Sequence, residues 1–241
     1  MLDRDANVTV LAGEKTVYAK IALPQLLAGT LTLNQLEIPV DNDISVVRGA
    51  RVTAVIPDAK LVETESAGEF QYDRLLLATG AEATMPELEG VRSPRVFTVR
   101  NITDVTNMDH ILKAESFHKR VIIYGAGLVS MELADALVRR GYTVVILVSS
   151  GQILSQILNE TAGDFVKHLL VSHGVEVHFR EQILRIRDTY RGVIAYTKSG
   201  KAYEGDLLIL GKGVQPSVKF LQSSGIKIDK GIVVNEFLET S

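Results

Sequence analysis

The sequence predicts an α/β fold in which a parallel sheet is combined with a β-meander. Three observations carry this. The stretch "RVIIYGAGLVSMELADALVRRGYTVVIL" (120–147) runs from apolar strand to glycine turn, amphipathic helix and second apolar strand. That is the order of a βαβ unit of about 30 residues. After it, "VEVHFREQILRIRD", "GVIAYTKSG" and "EGDLLILGKG" read as strands divided by the turns "YRG" and "KSGK". Before it, "YDRLLLATG" (72–80) is a continuous apolar run ending on Gly80, the pattern of a strand buried on both faces of a parallel sheet.

The remaining elements follow in order. "ANVTVLAG" (6–13) alternates and is β-branched, as a strand should be. "IALPQLLAGTLTLNQL" is a short helix or loop interrupted by Pro24 and Gly29. Residues 44–83 hold several strands, with turns near Pro57-Asp58 and Ala67-Gly68. "DVTNMDHILKAESF" (104–117) has helical spacing and an aspartate at its start. The helix of "LVSMELADALVRRG" closes on Gly141, and that of "ETAGDFVKHLLVSHG" closes on Gly174. A last short unit runs from Val218 to Ser241.

Composition removes several function classes. Apolar residues make up 46% of the 241, enough for a sizeable core and against long disorder. The net charge is -3, with acids and bases intermixed; no basic stripe offers itself to nucleic acid. There is no cysteine, which excludes a disulfide framework, a thiolate metal site, an iron–sulfur cluster and a dithiol redox centre within the chain and fits a cytoplasmic setting. No apolar run reaches membrane-spanning length, and "MLDRDANVTVLAGEK" lacks the build of a signal peptide. The five histidines are scattered and read as surface or helix-end residues. No metal site, Ser-His-Asp pattern or nucleophile elbow is expected, and no catalytic side chain is assigned.

The glycine turn reads Gly125-x-Gly127-x-x-Ser130. Gly125 permits a tight turn, Gly127 lets the backbone approach a pyrophosphate, and Ser130 is small enough for close packing of helix on strand. The helix start at Leu128 offers free N–H groups and a positive dipole end to phosphates. Gly125, Ala126, Gly127, Leu128, Val129 and Ser130 are therefore the candidate dinucleotide loop. The ribose reader stands about 20 positions beyond the first glycine, at Val148, Ser149 and Ser150. Neither an acid for NAD nor an arginine for NADP is there, so the choice between the two stays open. Glu132, one turn into the helix, is an acid that the dipole favours.

Taken in order, "YDRLLLATGAEA", the Gly125 unit, "DLLILGKGVQPS" and "IVVNEFLETS" resemble the pyridine-nucleotide-dependent flavoprotein reductases. These are the two-dinucleotide-domain proteins related to glutathione reductase, NADH oxidase, ferredoxin and rubredoxin reductases and nitrite reductase. The resemblance implies a Rossmann-like NAD(P)-binding domain (parallel sheet with β-meander) inserted in an incomplete FAD-binding domain. The expected boundaries are a partial FAD domain over 1–101, an NAD(P)H domain over 102–218 and a return segment over 219–241. It implies that Gly211 and Gly213 lie beside the nicotinamide dinucleotide, with Glu132 near the flavin and nicotinamide rings. It also implies that Ala78, Thr79 and Gly80 pass close to FAD and that Lys20 contacts it from "TVYAKIALPQLLAG". Pro216 fits the return crossing, where Ser217 replaces the usual Asn. Gln25 stands where a lysine often pairs with the helix acid.

Departures from the family shape the expected function. No G-x-G-x-x-G precedes residue 125, and no acid reads a first ribose unless Glu14 does. The final Gly-Asp segment has no counterpart. The partial FAD domain is thus expected to lack its central strand and its main flavin anchors, and to bind FAD weakly or not at all. The missing cysteines leave the ferredoxin, rubredoxin and nitrite reductase branch as the nearest. The implied reaction is hydride transfer from NAD(P)H to FAD, then electrons to an acceptor that the sequence does not name. The alternative is a non-catalytic dinucleotide-binding or interaction module. Exposed sheet edges favour a homo-oligomer.

Overall fold

The structure is a computed structural model that describes residues 6–114 and 117–241. Residues 1–5, at the start of "MLDRDANVTVLAGEK", and 115–116, near the end of "DVTNMDHILKAESF", lie outside it. The chain divides into two units. One takes the residues up to Ala19, Glu37–Glu82 and Val214–Ser241; the other takes Lys20–Leu36 and Ala83–Gly213. The second unit is therefore inserted in the first.

Along the chain, β1 (Val8–Ala12), α1 (Leu23–Ala28) and the single turn α2 (Leu33–Leu36) precede β2 (Ile44–Arg48). Then come β3 (Val52–Ile56), β4 (Leu61–Thr64), β5 (Glu69–Gln71), β6 (Ala81–Ala83), β7 (Val96–Phe97) and α3 (Ile102–Ala114). The dinucleotide segment supplies β8 (Arg120–Tyr124), α4 (Leu128–Arg139), β9 (Thr143–Val148), α5 (Glu160–Ser172) and β10 (Glu176–Phe179). The last strands are β11 (Ile183–Thr189), β12 (Gly192–Thr197), β13 (Ala202–Gly205), β14 (Leu207–Leu210) and β15 (Val214–Pro216).

The inserted unit is built on a five-stranded sheet in the order β10-β9-β8-β14-β7, with every neighbouring pair parallel. Its central strands are apolar without interruption because both faces are covered: Val121, Ile122, Ile123, Val144, Val145, Ile146 and Leu147 have no exposed surface. Alternate residues Ile122, Tyr124, Val145, Leu147, Leu208 and Leu210 pack with Ile183, Ile186, Val193, Ala195 and Tyr203 of the meander β11-β12-β13. The helices are stopped by local chemistry. Asn101 Oδ1 accepts the Asp104 amide while Asp104 Oδ2 accepts the Arg100 amide at the start of α3. Asn159 caps α5 by accepting the Ala162 amide. Gly141 and Gly174, at φ +80° and +82°, close α4 and α5.

Two sequence segments each break into a pair of strands that join different sheets. "VEVHFREQILRIRD" splits into β10 and β11 after Arg180, whose φ is +57°. "EGDLLILGKG" splits into β13 and β14 at Asp206, which is fully buried. Its Oδ1 accepts the amides of Phe117 (2.7 Å) and His118 (2.9 Å), and Oδ2 accepts that of Arg120 (3.0 Å). One carboxylate thus fixes the entry to β8 against the start of β14.

The expected domain boundaries are corrected in three places, one of them at residues 214–218, which belong to the first unit and not to the inserted one. Residues 20–36 belong to the inserted unit, because Leu23, Leu27 and Leu36 are buried and α1 packs on α3 and α4. Arg140 joins in, donating to the Leu27 carbonyl (2.8 Å) and pairing with Asp109 (2.7 Å). Residues 83–101 also belong there, since β7 is the edge strand of the five-stranded sheet.

In the first unit β1 and β2 form a parallel pair, β3-β4-β5 an antiparallel sheet, and β6 pairs with β15. A small core gathers Val55, Val62 and Leu221 with Leu11, Tyr72 and Leu77 around it. "YDRLLLATG" is not the buried strand that its composition suggests: it pairs with no strand, and Leu75 and Leu76 are 38% and 87% exposed. An apolar run becomes a central strand only where strands flank it, and among the described residues β1 and β2 pair only with each other.

Glu181 is a second buried carboxylate, 3% exposed. It accepts from Lys201 Nζ (2.9 Å) and Ser199 Oγ (2.7 Å). Burial alone would raise its pKa, but the hydrogen bonds from Lys201, Ser199 and Thr197 outweigh it and hold the group down at about 2 against an ordinary 4.5. A depressed folded pKa gives stability that is present above pH 4.5 and lost as pH falls toward 2. Glu181→Gln is therefore expected to flatten the acid-denaturation profile in that window. Thermal midpoints of both proteins across it check this; parallel profiles would refute it.

Candidate dinucleotide site

The site is built at the carboxyl ends of β8, β9 and β14, which are neighbours in the sheet. At the end of β8 the chain turns at Gly125, whose φ is +123°. A Cβ there would lie 2.0 Å from the Gly211 carbonyl oxygen, so only glycine allows the two strand ends to meet this closely. The Gly125 amide donates to Leu147 O (2.9 Å) and the Gly211 amide to Tyr124 O (2.8 Å). Ser130, 2% exposed, packs on Gly211, where a Cβ would approach its Oγ to 2.2 Å. The serine in the third fingerprint position thus does the work of close helix-to-strand packing.

Gly127 differs. It is exposed and extended (φ -85°, ψ 179°), it precedes α4, and a Cβ on it would meet nothing within 4 Å. It contributes no side-chain cap, and Leu128 and Val129 after it are 60% and 45% exposed. A helix start left open in this way suits an anionic group. Ala126 is held by its carbonyl, which accepts the Leu154 amide at 3.0 Å.

At the ribose-reading position Val148 is buried and Ser149 exposed. The strand end has one further group that the sequence did not single out. Lys212 Nζ donates to Ser149 Oγ (3.0 Å) and lies 4.2 Å from the centroid of the Tyr124 ring. Burial pushes its ammonium below the ordinary lysine range. The available signal was a lysine set between two glycines at a strand end.

The pyridine nucleotide-disulphide oxidoreductase family profile matches residues 2–241. The chain belongs to this family. Among its relatives, the NADH-dependent phenylglyoxylate dehydrogenase subunit epsilon of Aromatoleum evansii is 27% identical over all of this chain and 58% of its own length. The NADH oxidase of Methanocaldococcus jannaschii is 28% identical over 99% of this chain and 56% of its own. The assimilatory nitrate reductase electron transfer subunit of Bacillus subtilis is 28% identical over 93% of this chain and 29% of its own. The chain thus spans little more than half of these relatives, or less. The solved NAD-dependent persulfide reductase of A. fulgidus superposes with a TM-score of 0.92 at 25% identity, over 99% of this chain and 47% of that one. A ferredoxin reductase of Rhodopseudomonas palustris shares the fold with a TM-score of 0.90 at 19% identity, over 98% of this chain and 59% of that one.

The structure places the other candidate residues of this chain as follows. Glu132 is exposed on α4 and makes no ion pair among the described residues; Gln25 is exposed on α1, and the two share no hydrogen bond. Gly213 is exposed at φ +86°, and its carbonyl accepts the Thr84 amide at 3.0 Å. Lys20 lies in the inserted unit, whereas Ala78, Thr79 and Gly80 lie in the first. Thr79 Oγ1 donates to Ser217 O and the Ser217 amide to Gly80 O, both at 3.0 Å. Glu14 is engaged by the Tyr18 hydroxyl. His110, His118, His168 and His173 are exposed, as expected. His178 is not a surface or helix-end residue: it lies in β10, half-buried, with its ring 5.0 Å from that of Tyr203. Among the described residues no group of three or more His, Asp or Glu could hold a metal, and no helix is long and apolar enough to cross a membrane.

Proposed function

We propose that this chain is the nicotinamide-dinucleotide-binding part of an NAD(P)H-dependent, FAD-linked oxidoreductase of the cytoplasm, which passes electrons to a separate acceptor. The observation that carries this reading is the open backbone at Gly127, set between a strand buried from Val121 to Tyr124 and an uncapped helix start. When bound, the nicotinamide supplies a hydride. The chain's own part is to bind and orient. The turn Gly125–Gly127 and the amides of Leu128, Val129 and Ser130 take the pyrophosphate. Ser149 meets the ribose, and Gly211 and Gly213 line the approach. Glu132 keeps an acid on the same helix, one turn in. The electron transfer subunit of Bacillus subtilis among the relatives favours another redox protein as the acceptor.

FAD fits this 241-residue polypeptide less well. The first unit has no α-helix among its described residues, hence no helix start for the flavin phosphates. Thr79's hydroxyl is already bonded to Ser217. The purified polypeptide is expected to bind NADH or NADPH in a fluorescence titration while carrying well under one flavin per chain. If the folded chain binds neither nucleotide, the reading is wrong. A yellow sample with one flavin per chain would refute the statement about FAD.

The exposed Leu75 and Leu76 favour a second reading, an interaction module in which this apolar segment meets a second copy or another protein. Nucleotide binding with no ferricyanide reduction after FAD is added would favour the module; reduction would favour the enzyme.

A further inference from the structure

We propose that Lys212 is a specificity residue that selects NADPH over NADH by placing its ammonium where the adenosine ribose is read. This rests on the nucleotide site described above and adds to it the choice that the serines leave open.

Four observations carry it. Lys212 follows β14, Tyr124 ends β8 and Ser149 follows β9, so the three come from the carboxyl ends of adjacent parallel strands. Lys212 Nζ is held at Ser149 Oγ (3.0 Å) with the Tyr124 ring beneath it (4.2 Å). The long side chain is thus already ordered, which lowers the entropy cost of using it. A second basic residue adjoins the same strand end: the Arg180 amide donates to Ser150 O at 3.1 Å. The nearby carboxylate offers no counter-argument. Glu181 donates its amide to Val148 O (3.0 Å), but its side chain is 3% exposed and bonded to Lys201 and Ser199.

The chemistry then favours one cofactor. NADH is usually recognised by an acid that accepts from the 2′-hydroxyl. An ammonium has three donors and no acceptor, so it cannot do this. A 2′-phosphate offers it charge-assisted hydrogen bonds, about twice as strong as neutral ones. Ser149 accepts from Lys212, so its own hydroxyl hydrogen is free to donate to the same phosphate.

The test is calorimetric titration of the full 241-residue chain with NADPH, NADH, 2′,5′-ADP and ADP, with circular dichroism to establish that each variant is folded. The wild-type chain is expected to bind NADPH at least about tenfold tighter than NADH, and 2′,5′-ADP tighter than ADP, a margin that narrows as salt screens the pair. Lys212→Met should weaken NADPH by about tenfold and leave NADH within about threefold. Lys212→Arg should keep the preference. If the wild-type chain binds both reduced nucleotides equally, or Lys212→Met weakens both alike, the specificity role is overturned and the nucleotide site stands. If the folded chain binds none of the four, the site itself is overturned and the role with it.

Discussion

Asp206→Ala is expected to destabilise the inserted unit by about 3 kcal/mol or more, because one buried carboxylate satisfies three backbone amides at once. Alanine removes the acceptor and leaves those donors to find water at a site where Asp206 has no exposed surface. It also frees the entry to β8 from the junction of β13 with β14. At roughly 2–4 °C per kcal/mol for a domain of this size, the midpoint should fall by about 6–12 °C. Asp206→Asn gives the graded control. Its amide carbonyl can still accept from Phe117 and His118, but its NH2 group faces the Arg120 amide donor, so the loss should be intermediate. Thermal unfolding followed by circular dichroism orders the three proteins. An alanine variant within 2 °C of wild type would show that the three bonds are dispensable.

Much of this architecture is legible in the sequence wherever local pattern and tertiary context agree. "RVIIYGAG" needs a strand and a glycine turn, and Val121 to Tyr124 of β8 are apolar enough to be buried whatever lies around them. The glycines at 141 and 174 stop helices for reasons contained in a few neighbouring residues. Legibility fails where the outcome depends on distant partners. "EGDLLILGKG" looks like one strand because nothing local announces that Asp206 turns inward to collect amides from the approach to β8. "IALPQLLAG" gives no sign of the unit it joins; that is decided by the fit of Leu23 and Leu27 against α3 and α4. "YDRLLLATG" has the composition of a central strand and none of the neighbours. In the site, the glycine turn is local and therefore readable. Lys212 becomes informative only once three strand ends are known to lie side by side.

Gly125 and Gly127 carry the same one-letter symbol in the fingerprint, yet their replacement by alanine should have opposite signatures. Gly125→Ala puts a side chain at φ +123°, where L residues are strained by about 1–3 kcal/mol, and drives its Cβ to 2.0 Å from Gly211 O. The carbonyl cannot retreat cheaply, because the Gly211 amide donates a hydrogen bond to the Tyr124 carbonyl and Gly211 is packed on Ser130. A destabilisation of about 3 kcal/mol or more is expected, with nucleotide binding lost as the turn shifts. Gly127→Ala has an ordinary φ of -85° and open space around the new methyl. It should cost about 1 kcal/mol or less as an N-cap change and leave the fold intact. The methyl does, however, occupy the space through which a phosphate must approach the helix start, so nucleotide affinity should fall by at least about tenfold. Thermal midpoint and nucleotide titration on both variants separate the two roles. Equal effects of both variants on stability would refute the division. The interlock makes one further demand: since the Cβ of Gly211→Ala would strike Ser130 Oγ at 2.2 Å but Ser130 Cβ only at 3.6 Å, adding Ser130→Ala should recover part of the stability that Gly211→Ala loses. A double-mutant cycle with a coupling of about 1 kcal/mol or more would show it, and strict additivity would mean that the serine does not fill the space against the strand.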